Sequence, residues 1–189
     1  MPNWCENELI INDGNSEKVG EMIELIKGEH SIFDFDNIIP YPDKYKKQDE
    51  LYRKWEEDKK NNPNLKPPEE IMFRRKYVKE PSPYDGFNSG GIEWCYENWD
   101  TKWNACESVI EEDSEYEYEG VKYRDIKIAF NTAWSPPTPV VKLLASKFPE
   151  LTITHQYFEK GMKFHGRDCY EKGKCISSEK TKYFGNRGG

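Results

Sequence analysis

Three of the six tryptophans in the chain fall within eleven residues, in the run EWCYENWDTKW from Glu93 to Trp103. Trp94, Trp99 and Trp103 stand among polar neighbours that include Asn98 and Lys102. Trp99 and Trp103 are four apart, so on a helical turn they share one face. Indoles this dense do one of two things. They stack on a planar group, which is worth about 1–3 kcal/mol per nucleobase, with Lys102 beside them to meet an anion and Asn98 to hydrogen-bond a polar edge. Or they fill a seam between layers of the fold, with the polar neighbours satisfying the indole N–H groups. The residue types alone leave both open.

Other groups that could do chemistry are weaker. His165, Cys169 and Cys175 give H-x3-C-x5-C, but zinc sites favour tighter pairs, and no fourth ligand is evident, so no metal is expected. His155 lies on the apolar side of an alternating run and reads as a core histidine. Cys95 would need a base and a lowered pKa to act as a nucleophile, and no histidine is near it in sequence. The FDFD run puts Asp34 and Asp36 on one side of an extended segment. Such a pair could hold Mg²⁺ in a nuclease, but it also suits a solvated face. No phosphate loop, nucleophile elbow or HExxH occurs. Catalytic residues and cofactors are therefore not assigned. Glu111, Glu112, Asp113, Glu115, Glu117 and Glu119 crowd one hairpin with Tyr116 and Tyr118. That is either an acidic surface for a partner or a charged edge that discourages strand pairing between molecules.

The elements that must position these groups fit one modest core. Of 189 residues, 35% are hydrophobic and 33% charged, while aromatics reach 14% and supply area that aliphatics do not. The net charge of −7 argues against general nucleic-acid binding, which needs Lys and Arg to neutralise phosphates. No apolar run is long enough to span a membrane, and the opening residues lack the pattern of a secretory signal. Five cysteines without a CxxC disfavour a disulfide framework and fit a reducing cytoplasm. The oligomeric state is not legible.

Strand signals cover CENELIIND, CESVIEED, VKYRDIKIAFN, LTITHQYFEK and GMKFHGRDCY. Helix signals cover NSEKVGEMIELIKG, with Asn15 or Ser16 as cap, and the segment after Thr138-Pro139. Residues 43–91 are charged and interrupted by Pro and Gly. They read as a helical insertion with a charged helix, a second helix around EEIMFRRKYVKE, and a flexible loop at PSPYDGFNSGG. The order β-α-(insertion)-β-β-α-β-β is the split βαβ plan. The expected fold is therefore α+β: a ferredoxin-like βαββαβ sandwich, with an antiparallel sheet, two helices on one face, the helical insertion and one extra C-terminal strand. Residues 1–170 form the single domain, and 171–189 a loose polar tail.

The phrases MPNWCENELII, FDFDNIIPYP, WCYENWDTKWNA, FNTAWSPPTPVVKLLASKFPEL and YFEKGMKFHG together resemble the Api92-like family of phages and plasmids, which includes the YubB ferredoxin-like domain. The resemblance runs from Met1 to about Gly166. It implies a ferredoxin-like domain carried on a mobile genetic element, in the cytoplasm of a bacterial host, and it implies no catalytic residues. Related sequences often carry Gly where this chain has Asp100, which suggests a left-handed backbone there. Trp4 and Trp134 lie in two further phrases of the family. A site that gathered the phrases on one side of the sheet would bring Trp94, Trp99, Trp103, Trp4 and Trp134 to a planar group. Lys102 and Arg167 would meet its anion, and Asn3, Asn98 and Asn131 its base or ribose edges. The leading expectation is a non-enzymatic binding protein that captures a nucleotide-like small molecule or a host partner, in the service of counter-defence. The alternatives are an enzyme acting on nucleotides or nucleic acid through Asp34, Asp36 or Cys95 with a histidine, and a protein-interaction module that uses the acidic hairpin.

Overall fold

The structure, a computed structural model, describes residues 3–73 and 81–182. Contacts divide the chain into two compact units, Met1–Pro40 with Asn98–Gly189, and Tyr41–Glu97.

The first unit starts with β1 (Trp4–Asn15) and α1 (Ser16–Ile26). Strand alternation puts Cys5, Leu9 and Ile11 on a buried face together with Asn7. Asn15 caps α1 by accepting from the Lys18 amide at 3.2 Å, and Val19, Met22 and Ile26 form the buried stripe. Gly14 is needed at the crossing from strand to helix. A Cβ there would stand 2.7 Å from Val19 Cγ2 and 2.8 Å from Ile11 Cγ2.

In the second unit, α2 (Asp43–Asn61) is the charged helix expected there, and it buries Trp55. The expected second helix is not continuous. A 3₁₀ turn at Glu69–Ile71 passes straight into β2 (Met72–Phe73), and the rest of that stretch, 74–80, lies outside the described residues. The loop expected from PSPYDGFNSGG contains β3 (Ser82–Pro83), paired with β2, and then a wide turn at Phe87–Gly91. Gly90 turns at φ +123°. Helix α3 (Ile92–Trp99) follows, and its last residues return to the first unit.

The first unit resumes with β4 (Cys106–Tyr118) and β5 (Val121–Ala133), then α4 (Thr138–Lys147), β6 (Ile153–Glu159), β7 (Phe164–Glu171) and β8 (Lys174–Lys182). The sheet runs β4-β5-β1-β6-β7-β8, antiparallel throughout. Its first four strands with α1 and α4 are the ferredoxin-like arrangement. Ile126, Ile128 and Phe130 of β5, Ile153, His155 and Tyr157 of β6, and the stripes of both helices are buried. Phe33 and Phe35, in the segment after α1, pack edge-on with each other and with Phe130.

The C-terminal extension is longer than expected. Two strands, not one, extend the sheet beyond β6; β8 takes up Lys174–Lys182 of the stretch 171–189 read as a loose tail, and 183–189 lie outside the described residues. Lys172 and Gly173, at φ +49° and +73°, make a two-residue hairpin turn of the kind that matches strand twist. Every β8 side chain is exposed, so the strand carries no hydrophobic alternation and its pairing rests on the backbone.

Candidate functional site: an indole surface beside a carboxylate cleft

The phrases NWDTKW and NTAWSPP are locked together at one end of the sheet. Thr101 Oγ1 donates to the Ala133 carbonyl at 2.8 Å, and the Ser135 hydroxyl donates to the Asp100 carbonyl. Thr132 Oγ1 donates to the Ser135 carbonyl at 2.7 Å and accepts from Asn7 Nδ2 at 2.8 Å. The Trp134 amide donates to the Asn3 carbonyl at 2.9 Å. Asp100, at φ +60°, takes the left-handed turn that the related glycine suggests. Trp134 stands at φ +76°, which is rare for a bulky residue and costs about 1–3 kcal/mol. The bonds on either side hold it there, with the residue 37% exposed.

These bonds sort the expected ligand residues. Trp99 is inside: its indole N–H donates to the Ile39 carbonyl at 3.0 Å, and its ring meets the edge of Phe35 at 5.7 Å. Trp103 is half-buried, 6.1 Å from the ring of Trp4, with Lys102 Nζ 4.7 Å from its ring centroid. Trp4 is 40% exposed. Asn3 lies against Gly161 of the β6–β7 turn. Asn131 is opposite Glu6 in the sheet and donates to Glu107 Oε2 at 2.8 Å. Trp94 belongs to the second unit, edge-on to Tyr41 at 5.5 Å. Asn98, in the last turn of α3, is half-buried. Arg167 on β7 is across from Gln156, which is across from Glu8. That leaves it roughly 13 Å along the strands and about 10 Å across them from Trp4. The structure thus brings Trp4, Trp103, Lys102, Trp134, Asn3 and Asn131 to one end of the sheet. Trp99 and Arg167 do not join them, and Trp94 belongs to the second unit.

Sequence reasoning missed what adjoins Trp4. A cleft of about 330 Å³ is lined by Trp4, Glu6, Glu8, Glu107, Glu111 and Asn131, together with Asn7, Ala129 and Phe130. The signal was available, since alternation along WCENE puts Trp4, Glu6 and Glu8 on one side of β1. Glu6 also meets Lys160 at 3.6 Å. The surroundings of the planar surface are therefore anionic, where the sequence suggested basic groups.

The other chemical candidates have structural duties. Burial pushes the thiols of Cys5 and Cys95 up to about 12, which opposes thiolate chemistry. Asp34 Oδ1 accepts from the Asp36 amide at 2.9 Å and from Asn104 Nδ2 at 2.6 Å, which caps the turn at Phe35–Asn37. His155 is fully buried, with Nε2 3.1 Å from Asn7 Oδ1 and Nδ1 4.0 Å from Asp168 Oδ2. Burial pushes its imidazole down to about 3. Only one ring nitrogen is hydrogen-bonded, so the core histidine is half satisfied. His165 shares a hydrogen bond with Thr181 of β8, and its ring is stacked 6.2 Å from Phe158. Among the described residues no cluster of three or more His, Cys, Asp or Glu is arranged to hold a metal ion. No described helix is long and apolar enough to cross a membrane.

The acidic hairpin turns at Glu119-Gly120 and is largely paired internally. Arg124 bonds both oxygens of Asp113 at 2.7 Å, Lys127 reaches Glu111 and Glu112, and Tyr116 donates to Asp13.

Residues 98–183 match the family model described as the ferredoxin-like domain in Api92-like protein. Over that segment the chain is similar to the Api92-like family. The segment contains the second strand pair, α4 and all three C-terminal strands, together with Trp99, Lys102, Trp103, Asn131, Trp134 and Arg167. Among solved structures, the crystal structure of protein Api92 from Yersinia pseudotuberculosis is similar at 12% identity over 99% of this chain and 100% of that one, with a TM-score of 0.45. No curated protein matches the chain.

Proposed function

We propose that this Api92-like protein is a non-enzymatic binding module that engages a host protein through the Trp4–Trp103 surface. Its setting on a phage or plasmid, and a use against host defence, are carried over from the family resemblance. The observation that carries the reading is the pairing of an exposed indole, Trp4, with a cleft lined by four glutamates. Of the two occupants considered from sequence, a nucleotide brings phosphates that those carboxylates repel. A protein segment presenting Arg or Lys meets both features, because cations are attracted to indole faces and to carboxylates. The raised thiols and the depressed imidazole support binding over catalysis.

The test is a titration of tryptophan fluorescence with hexa-arginine. We expect salt-sensitive quenching that weakens at least fivefold in Trp4→Ala and in the Glu107→Gln, Glu111→Gln pair. Quenching that is indifferent to those substitutions overturns the reading.

A further inference from the structure

The second unit has a cleft of its own, about 530 Å³ in volume, lined by Tyr52, Trp55, Glu56, Lys59, Lys60 and Pro83. This lies within the size range of small-molecule sites. The five α2 residues follow the spacing i, i+3, i+4, i+7, i+8 and so share one helix face. Pro83 on β3 completes the lining. The Tyr52 and Trp55 rings are 5.6 Å apart. Trp55 is held in place by donating its indole N–H to the Leu65 carbonyl at 3.3 Å. Lys59 Nζ lies 4.6 Å from the Trp55 ring centroid, and Lys59 and Lys60 are both exposed. Two ammonium groups against one carboxylate leave the lining with a net positive charge, unlike the cleft beside Trp4.

We propose that this cleft binds a small planar anion: an aromatic ring bearing a phosphate group. The ring lies between Tyr52 and Pro83 over the fixed edge of Trp55, and Lys59 and Lys60 meet the phosphate. Glu56 limits affinity. Its carboxylate, after burial, also keeps the Tyr52 phenol above its ordinary pKa, so Tyr52 remains an uncharged wall. This site does not depend on the Trp4–Trp103 reading.

The experiment follows the Trp55 indole N–H by ¹⁵N NMR in the full chain, titrated with adenosine 5′-monophosphate and with phenyl phosphate. A saturable shift of that signal is expected with both probes, at least tenfold weaker for adenosine or inorganic phosphate alone. The Lys59→Ala, Lys60→Ala pair, both on the surface, should weaken binding at least tenfold. Glu56→Gln should tighten it severalfold, and Trp103→Ala should leave it unchanged. Absence of a saturable Trp55 shift with both probes overturns the proposal. So does equal affinity in the lysine variant, or binding lost in Trp103→Ala.

Discussion

Trp99 and Trp103 are the same side chain four residues apart, yet the fold uses them differently. Trp99 gives its indole N–H to a backbone carbonyl and its face to Phe35, so Trp99→Ala removes a large buried ring and a hydrogen bond. Urea unfolding should show a loss of about 3–5 kcal/mol. Trp103→Ala, at a half-buried position, should cost under about 1.5 kcal/mol. Equal costs would mean that Trp103 is as much a core residue as Trp99. His155 makes a prediction in pH. Its folded pKa is depressed to about 3, whereas the unfolded imidazole titrates near 6.5. Between those values the unfolded chain binds the extra proton, so stability falls as pH drops below about 6.5. His155→Gln keeps a donor for Asn7 and removes that titration. Between pH 7 and pH 5 the variant should lose about 2 kcal/mol less than the parent.

At the scale of elements, the strand-to-helix crossing at Gly14 is the most constrained junction. Its absent Cβ would meet branched side chains on both elements and the Arg124 carbonyl at 3.3 Å. Gly14→Ala should lower the denaturation midpoint, by about 1–3 kcal/mol in stability. The six core elements were legible because each has a one-sided pattern: Val19, Met22 and Ile26 at helical spacing, and Ile126, Ile128 and Phe130 at strand spacing. Strand β8 was not, because all its side chains face solvent and its pairing rests on the Lys172-Gly173 turn. The candidate site was partly legible. Trp4, Trp103 and Lys102 come together as the family phrases suggested. The separation of Arg167 follows from register, and the carboxylate cleft follows from β4 and β1 lying on either side of β5. Alternation along β1 gives the Trp4, Glu6 and Glu8 side of that cleft, but residue types give neither its Glu107 and Glu111 side nor the place of Arg167.

At the scale of the whole molecule, two compact units are threaded on one chain, and the first is interrupted between Pro40 and Asn98. If the first unit holds itself together, replacing 41–97 with a short Gly-Ser linker should leave its sheet intact. Circular dichroism should still show a cooperative unfolding transition. A chain without one would mean that the sheet needs the second unit to fold. The hydrogen bond from Trp99 to Ile39 gives the reason to expect success. It joins positions 60 residues apart, at the points where the chain leaves the first unit and comes back. Because loop closure depends only weakly on length, such a clasp makes the intervening stretch exchangeable. It can be lengthened, shortened or refitted for another ligand while the frame that holds Trp4 and Trp103 stays the same.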